Sequence, residues 1–205
     1  MFITFEGIDG SGKTTQIELL REKLVDTGFE VSVFREPGGT EISEQIREIL
    51  LDAKLDIDPV TELLLFSAAR SQLVAEKVVP LQKAGIIVIL DRFYDSTTAY
   101  QGYGRNSVSL KHIRELNEVA SHSKEPDLTF YMKISLEEAQ KRTEKQQKDR
   151  MELSGDEFYK NVIKGFDALS LSEKRFVTLD ATVPQQKIHS QIWEHVSNHL
   201  QQKKS

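Results

Sequence analysis

The chain has 205 residues, a formal net charge of -5, 39% apolar and 29% charged residues, and no cysteine. That length suits one sizeable core rather than two independent ones, and the apolar content excludes intrinsic disorder. The negative charge argues against a broad grip on nucleic acid while allowing a local anion pocket, and the lack of cysteine removes disulfides, thiolate metal sites and cysteine nucleophiles together.

The first apolar run, 2–5, reads as a buried strand rather than a signal peptide. Gly7-Ile8-Asp9-Gly10-Ser11-Gly12-Lys13-Thr14 follows it and completes the pattern GxxxxGK[ST]. A helix over 15–25 comes next, with Ile17, Leu20 and Leu24 on one face. In that context the glycines let backbone N–H groups of Gly7 through Thr15 converge on phosphate oxygens at a helix N-terminus. Lys13 adds a cation for the outer phosphates and the Thr14 hydroxyl is placed to ligate Mg²⁺. These features define a P-loop for ATP: Gly7, Ile8, Asp9, Gly10, Ser11, Gly12, Lys13, Thr14 and Thr15. A turn that merely contains lysine and threonine would lack the flanking strand and helix.

The second run, 31–34, ends in Arg35-Glu36-Pro37-Gly38-Gly39-Thr40. Phe66 and Arg70 follow on a helix one turn apart, so an aromatic plate and a donor share one face and can hold a base. The third run, 86–90, ends in Asp91-Arg92, which sets a carboxylate for Mg²⁺ on the edge of the sheet that carries the P-loop. Arg35 and Arg92 are therefore expected to meet in one cleft beside the P-loop, as a second phosphate site. A helix beginning near Ser107 carries Leu110, Ile113, Leu116, Val119 and Ala120 on a broad face.

Runs 128–134 and 176–179 supply two more strands, and Ile188, Ile192, Val196 and Leu200 mark a final helix. The segment 137–164, crowded with charge around Lys141 to Arg150, reads as a solvated flap. Short apolar runs alternating with helical stretches predict a three-layer α/β domain over 1–205: a five-stranded parallel sheet, helices on both faces, and a flexible lid at about 137–164. No segment reaches membrane-spanning length, and the cytoplasm is the expected location.

The segments FEGIDGSGKTT, REPGGT, FSAAR, DRFYDSTTAYQGYGR, PDLTFY and DRME, in this order from Phe2 to about Thr182, resemble the thymidylate kinase family of P-loop nucleoside monophosphate kinases. The resemblance implies a homodimer that transfers the γ-phosphoryl group of MgATP to dTMP, giving dTDP and ADP. It also implies that Phe66 stacks on thymine, Arg70 donates to O4, and Gln101 faces the N3–H edge. Tyr100 would lie beneath the sugar, Asp9 near the 3′-hydroxyl and the donor phosphates, and Arg142 over adenine. The acceptor set is thus Asp9, Arg35, Phe66, Arg70, Arg92, Tyr100 and Gln101. Some members carry an arginine in the P-loop after the acid; here that residue is Gly10. The catalytic cation is therefore expected from the lid, with Arg150 as first choice and Lys145 or Lys148 as alternatives. The expected catalytic group is Lys13, Asp91, Arg92 and Arg150. Competing readings are a kinase of another deoxynucleotide and a P-loop regulatory ATPase, which needs no acceptor cleft.

Overall fold

In the computed structural model, which describes residues 1–144 and 150–202, five strands form one parallel sheet in the order β2-β3-β1-β4-β5. They are β1 (Phe2–Glu6), β2 (Val31–Arg35), β3 (Ile87–Asp91), β4 (Leu128–Lys133) and β5 (Phe176–Asp180). β1 and β3 are almost wholly buried, as strands covered on both faces must be, and their sequences are correspondingly continuous in apolar residues. The register pairs Phe5 with Asp91 and Asp91 with Arg35. The carboxyl ends of β1, β3 and β2 therefore lie side by side, and the loops that follow them share one edge.

Helix α1 (Lys13–Asp26) leaves the P-loop and buries Ile17, Leu20 and Leu24, while α9 (Gln185–Gln202) packs beside it through Ile188, Ile192 and Val196. Between β2 and β3 run α2 (Glu41–Leu51), α3 (Pro59–Leu73), a π-helical turn Val74–Val78 and α4 (Val79–Lys83). Asp58 caps α3 by accepting from the N–H groups of Val60 and Thr61, with Pro59 opening the helix, the arrangement that satisfies otherwise orphaned donors. After β3 come α5 (Tyr94–Thr97), a π-helical turn Thr98–Gly104 and α6 (Leu110–Ala120); after β4 come α7 (Leu136–Thr143), a 3₁₀ turn Glu152–Ser154 and α8 (Asp156–Ser172).

Two features differ from the sequence expectation. The sequence predicts a lid over about 137–164, but Phe158, Tyr159 and Val162 of α8 are buried in the main core together with Phe166. Their helical spacing makes this part of the segment a core element. On α6 the broad apolar face divides: Ile113 and Ala120 are buried with Asn117, whereas Val119 is 73% exposed.

Candidate active site

The P-loop reverses the chain tightly between β1 and α1. Gly7 and Gly10 have φ of 136° and 80°, and a Cβ on them would lie 2.8 Å from the Met132 carbonyl oxygen and 2.7 Å from that of Ala139. Both positions therefore require glycine. The contact with Ala139 also explains in steric terms why this chain places no arginine at Gly10. Lys13 is buried and curls over the loop, its Nζ donating to the carbonyls of Gly7 (3.1 Å) and Ile8 (3.2 Å), 4.0 Å from Asp9 Oδ1. Burial, followed by the nearby Arg92, pushes its pKa down.

The loop after β3 is joined to the P-loop through Arg92, which sits at φ 71°. One of its terminal nitrogens donates to the Gly7 carbonyl at 2.7 Å and the other to Asp9 Oδ1 at 2.7 Å. Burial opposes ionisation of Asp9, but Arg92 and Lys13 outweigh it and bring the carboxyl down to about 2. Asp91 accepts from the Thr14 hydroxyl at 3.3 Å through Oδ2, while its Oδ1 is buried with no hydrogen-bond partner among the described residues. Glu6, at the end of β1, is fully buried and accepts from Phe93 N at 2.8 Å and the Ser96 hydroxyl at 2.6 Å. It anchors the turn that carries Arg92. Burial and the neighbouring Asp95 raise its carboxyl to about 8.

Beside this edge lies an open cleft whose walls include Asp9, Phe66, Arg70, Arg92, Tyr100 and Gln101. The structure thus brings together six of the seven residues expected to form the acceptor site. Arg70 is 1% exposed. Its Nε donates to Glu36 at 2.8 Å, and its terminal nitrogens donate to Thr97 Oγ1 at 2.8 Å and Asn117 Oδ1 at 3.3 Å. Three of the five N–H groups of the fork are thus used within the protein, and Arg70 borders the cleft. Burial raises the Glu36 carboxyl to about 7 against the pull of Arg70. The Tyr100 ring lies 5.2 Å from the Arg92 guanidinium.

Arg35 and Arg92 line one recess beside the P-loop, as expected, but Arg35 does not border the cleft that gathers the other acceptor residues. It is ion-paired with Glu44 at 3.0 Å and 56% exposed, and Lys13, Thr14 and Asp91 share its recess. Arg47 borders both recesses and donates to the Pro37 carbonyl; it was missed because a basic residue on an amphipathic helix ordinarily reads as solvated. Arg142 donates to the carbonyls of Ala181 (3.1 Å) and Gly10 (3.4 Å), and lines a recess with Gly12, Thr15 and Gln185 on the far side of the P-loop.

Arg150 is not at the P-loop. Its Nε donates to the Leu50 carbonyl at 2.7 Å and its guanidinium pairs with buried Glu62 at 2.6 Å. A carboxylate that is 1% exposed needs charged partners, which accounts for this departure from the expected phosphate contact. Lys145 and Lys148, the alternative cations, lie outside the described residues.

The family model "Thymidylate kinase" matches residues 5–192. The thymidylate kinase of Prosthecochloris aestuarii is 50% identical over 205 residues, covering 95% of this chain and 92% of that one. The thymidylate kinase of Thermoanaerobacter sp. is 46% identical over 200 residues, covering 97% and 98%. A crystal structure of thymidylate kinase from Ehrlichia chaffeensis superposes with a TM-score of 0.79 at 34% identity, covering 96% of this chain and 98% of that one. A P-loop joined through one arginine to a neighbouring cleft, set in a match that spans nearly the whole chain, places this protein in the thymidylate kinase family.

Proposed function

We propose that the chain phosphorylates dTMP with ATP, the donor phosphates lying on the P-loop and dTMP in the cleft beside α3. The observation that carries this reading is that the two recesses share Asp9 and Arg92 along their common border. A phosphoryl group between them would pass beside a guanidinium held from two sides, and phosphoryl transfer is catalysed mainly by such positioning and charge stabilisation. Phe66 offers a ring face to thymine, Arg70 donates to O4, Gln101 meets the N3 edge, and Tyr100 lies under the sugar. Lys13 leaves its carbonyl partners for the outer phosphates of ATP, and Arg142 holds the far side of the nucleotide.

The orphaned Asp91 Oδ1 next to the Thr14 hydroxyl suits Mg²⁺, a hard cation that takes oxygen ligands and keeps several waters. When bound, Mg²⁺ neutralises charge on the phosphates and orients them. A lid cation adds to Lys13 and Arg92: Arg150 once released from Glu62, or Lys145 or Lys148. The enzyme acts as a homodimer in the cytoplasm, the dimer being supported by exposed apolar residues on α2, α3 and α6.

The test is to follow ADP and nucleoside diphosphate with dTMP, dUMP, dCMP and dGMP as acceptors. Equal amounts of ADP and dTDP, with dTMP preferred, are expected. Preference for another acceptor would make it a different nucleotide kinase, and rapid phosphate release without acceptor would make it a regulatory ATPase.

A further inference from the structure

Glu62, Phe66 and Arg70 recur at one-turn spacing and so line one face of α3. The last two border the cleft. Glu62 lies beyond it, 1% exposed in its side chain, and is wrapped in donors. Its Oε1 accepts from Gln101 Nε2 at 3.0 Å and Arg105 Nε at 3.1 Å; its Oε2 accepts from Arg105 at 3.2 Å and pairs with Arg150 at 2.6 Å. Burial works against ionisation here, but Arg105, Gln101 and Arg150 together outweigh it, so the carboxyl is held below its ordinary value.

We propose that Glu62 is a positioning residue for base selection: it fixes which pole of the Gln101 amide faces the base. A free glutamine can present its carbonyl or its nitrogen almost equally well. An ionised carboxylate only accepts, so beside Glu62 the Gln101 nitrogen has one stable direction. Gln101 lines the cleft and is only 2% exposed, so the pole left for a ligand is its carbonyl. A carbonyl pairs with the N3–H of thymine or uracil and opposes the bare N3 acceptor of cytosine. The two arginines keep the carboxylate charged.

This inference rests on the cleft being the dTMP site with Gln101 at the N3 edge, and the experiment separates the two. The kcat/KM for dTMP, dUMP and dCMP is measured for the wild type, Gln101→Ala and Glu62→Gln. In Glu62→Gln the two guanidinium groups take the carbonyl of the new amide, turning its nitrogen toward Gln101. Gln101 must then reverse and show its own nitrogen to the base. The dTMP to dCMP ratio should fall by about tenfold, incompletely because Arg70 still opposes the 4-amino group. The dTMP to dUMP ratio should stay constant, since both bases carry N3–H; a general packing defect would give no such split. If Gln101→Ala leaves the dTMP to dCMP ratio intact, the underlying reading of Gln101 fails. If Gln101→Ala lowers it and folded Glu62→Gln does not, the role of Glu62 fails alone. Should Glu62→Gln not fold, the wild type decides by NMR: one Gln101 side-chain N–H protected from exchange with and without dTMP is expected. Amide protons that become protected only when dTMP binds would overturn the proposal.

Discussion

Lys13 spends its charge on two carbonyl groups of its own loop, contacts that position it but supply no apolar packing. Lys13→Ala should lower turnover by about 10²–10³-fold with little change in thermal midpoint; near-normal turnover in a folded variant would remove Lys13 from the mechanism. Asp9 gives a pH signature. Its carboxyl lies at about 2 in the folded chain against an ordinary 3.8. As pH falls the unfolded chain takes up this proton first, so the stabilisation from the pair with Arg92 is complete above the ordinary value and lost between there and about 2. Denaturant titrations of wild type and Asp9→Asn across that window should show their stability difference shrinking as pH falls; a difference independent of pH would exclude the ion pair. Lys13, Thr14, Asp91 and Arg92 were legible in the sequence because their chemistry is written in contiguous motifs at strand ends. Glu6, Glu36 and Glu62 were not. An acidic residue in the first turn of a helix, as Glu62 is, ordinarily serves the helix dipole in solvent. Only the folded chain brings Gln101 and Arg105, distant in sequence, onto it.

Among the elements, the strands were readable because each is a short apolar run and a parallel sheet buries both faces. The region after α7 was harder. Charge around Lys141 to Arg150 masked the start of α8, whose Phe158, Tyr159 and Val162 reach the core. The uncharged Gly10 pointed to Arg150 as the cation supplied from this segment, where tertiary structure pairs it with Glu62 and the Leu50 carbonyl. Arg150→Ala discriminates between these roles. As a late-arriving cation Arg150 should, when removed, cost turnover about tenfold or more, and the loss of a partner for Glu62 should raise the Michaelis constant for dTMP as well. If that constant rises at unchanged turnover, Arg150 acts through Glu62 only, and the lid cation is to be sought by Lys145→Ala and Lys148→Ala. Silence in all three leaves charge stabilisation to Lys13, Arg92 and Mg²⁺.

At the scale of the whole molecule, α3 packs against both α2 and α6, yet large apolar side chains on these helices face outward. Ile42 is 51% exposed, Ile49 46%, Leu64 53% and Val119 73%. Scattered apolar residues are ordinary on a protein surface, but here they fall on three neighbouring helices that back the acceptor cleft. A two-fold interface would use each of them twice. Sedimentation of the wild type is expected to give a species of twice the 23.4 kDa chain mass. Burying one leucine contributes about 1.5–3 kcal/mol, so Leu64→Glu, which acts on both subunits and adds the cost of desolvating a charge, should weaken self-association by about 10²-fold or more. Leu171, 90% exposed on α8, supplies the control, because Leu171→Glu lies on a different helix and should leave the dimer intact. A wild type that sediments as a monomer at every concentration rejects the dimer outright. A dimer indifferent to Leu64→Glu but broken by Leu171→Glu would move the interface to the α8 side of the molecule. Because Phe66 and Arg70 share α3 with Leu64, loss of the dimer should also raise the Michaelis constant for dTMP more than that for ATP, which ties assembly to the acceptor cleft rather than to the phosphate loop.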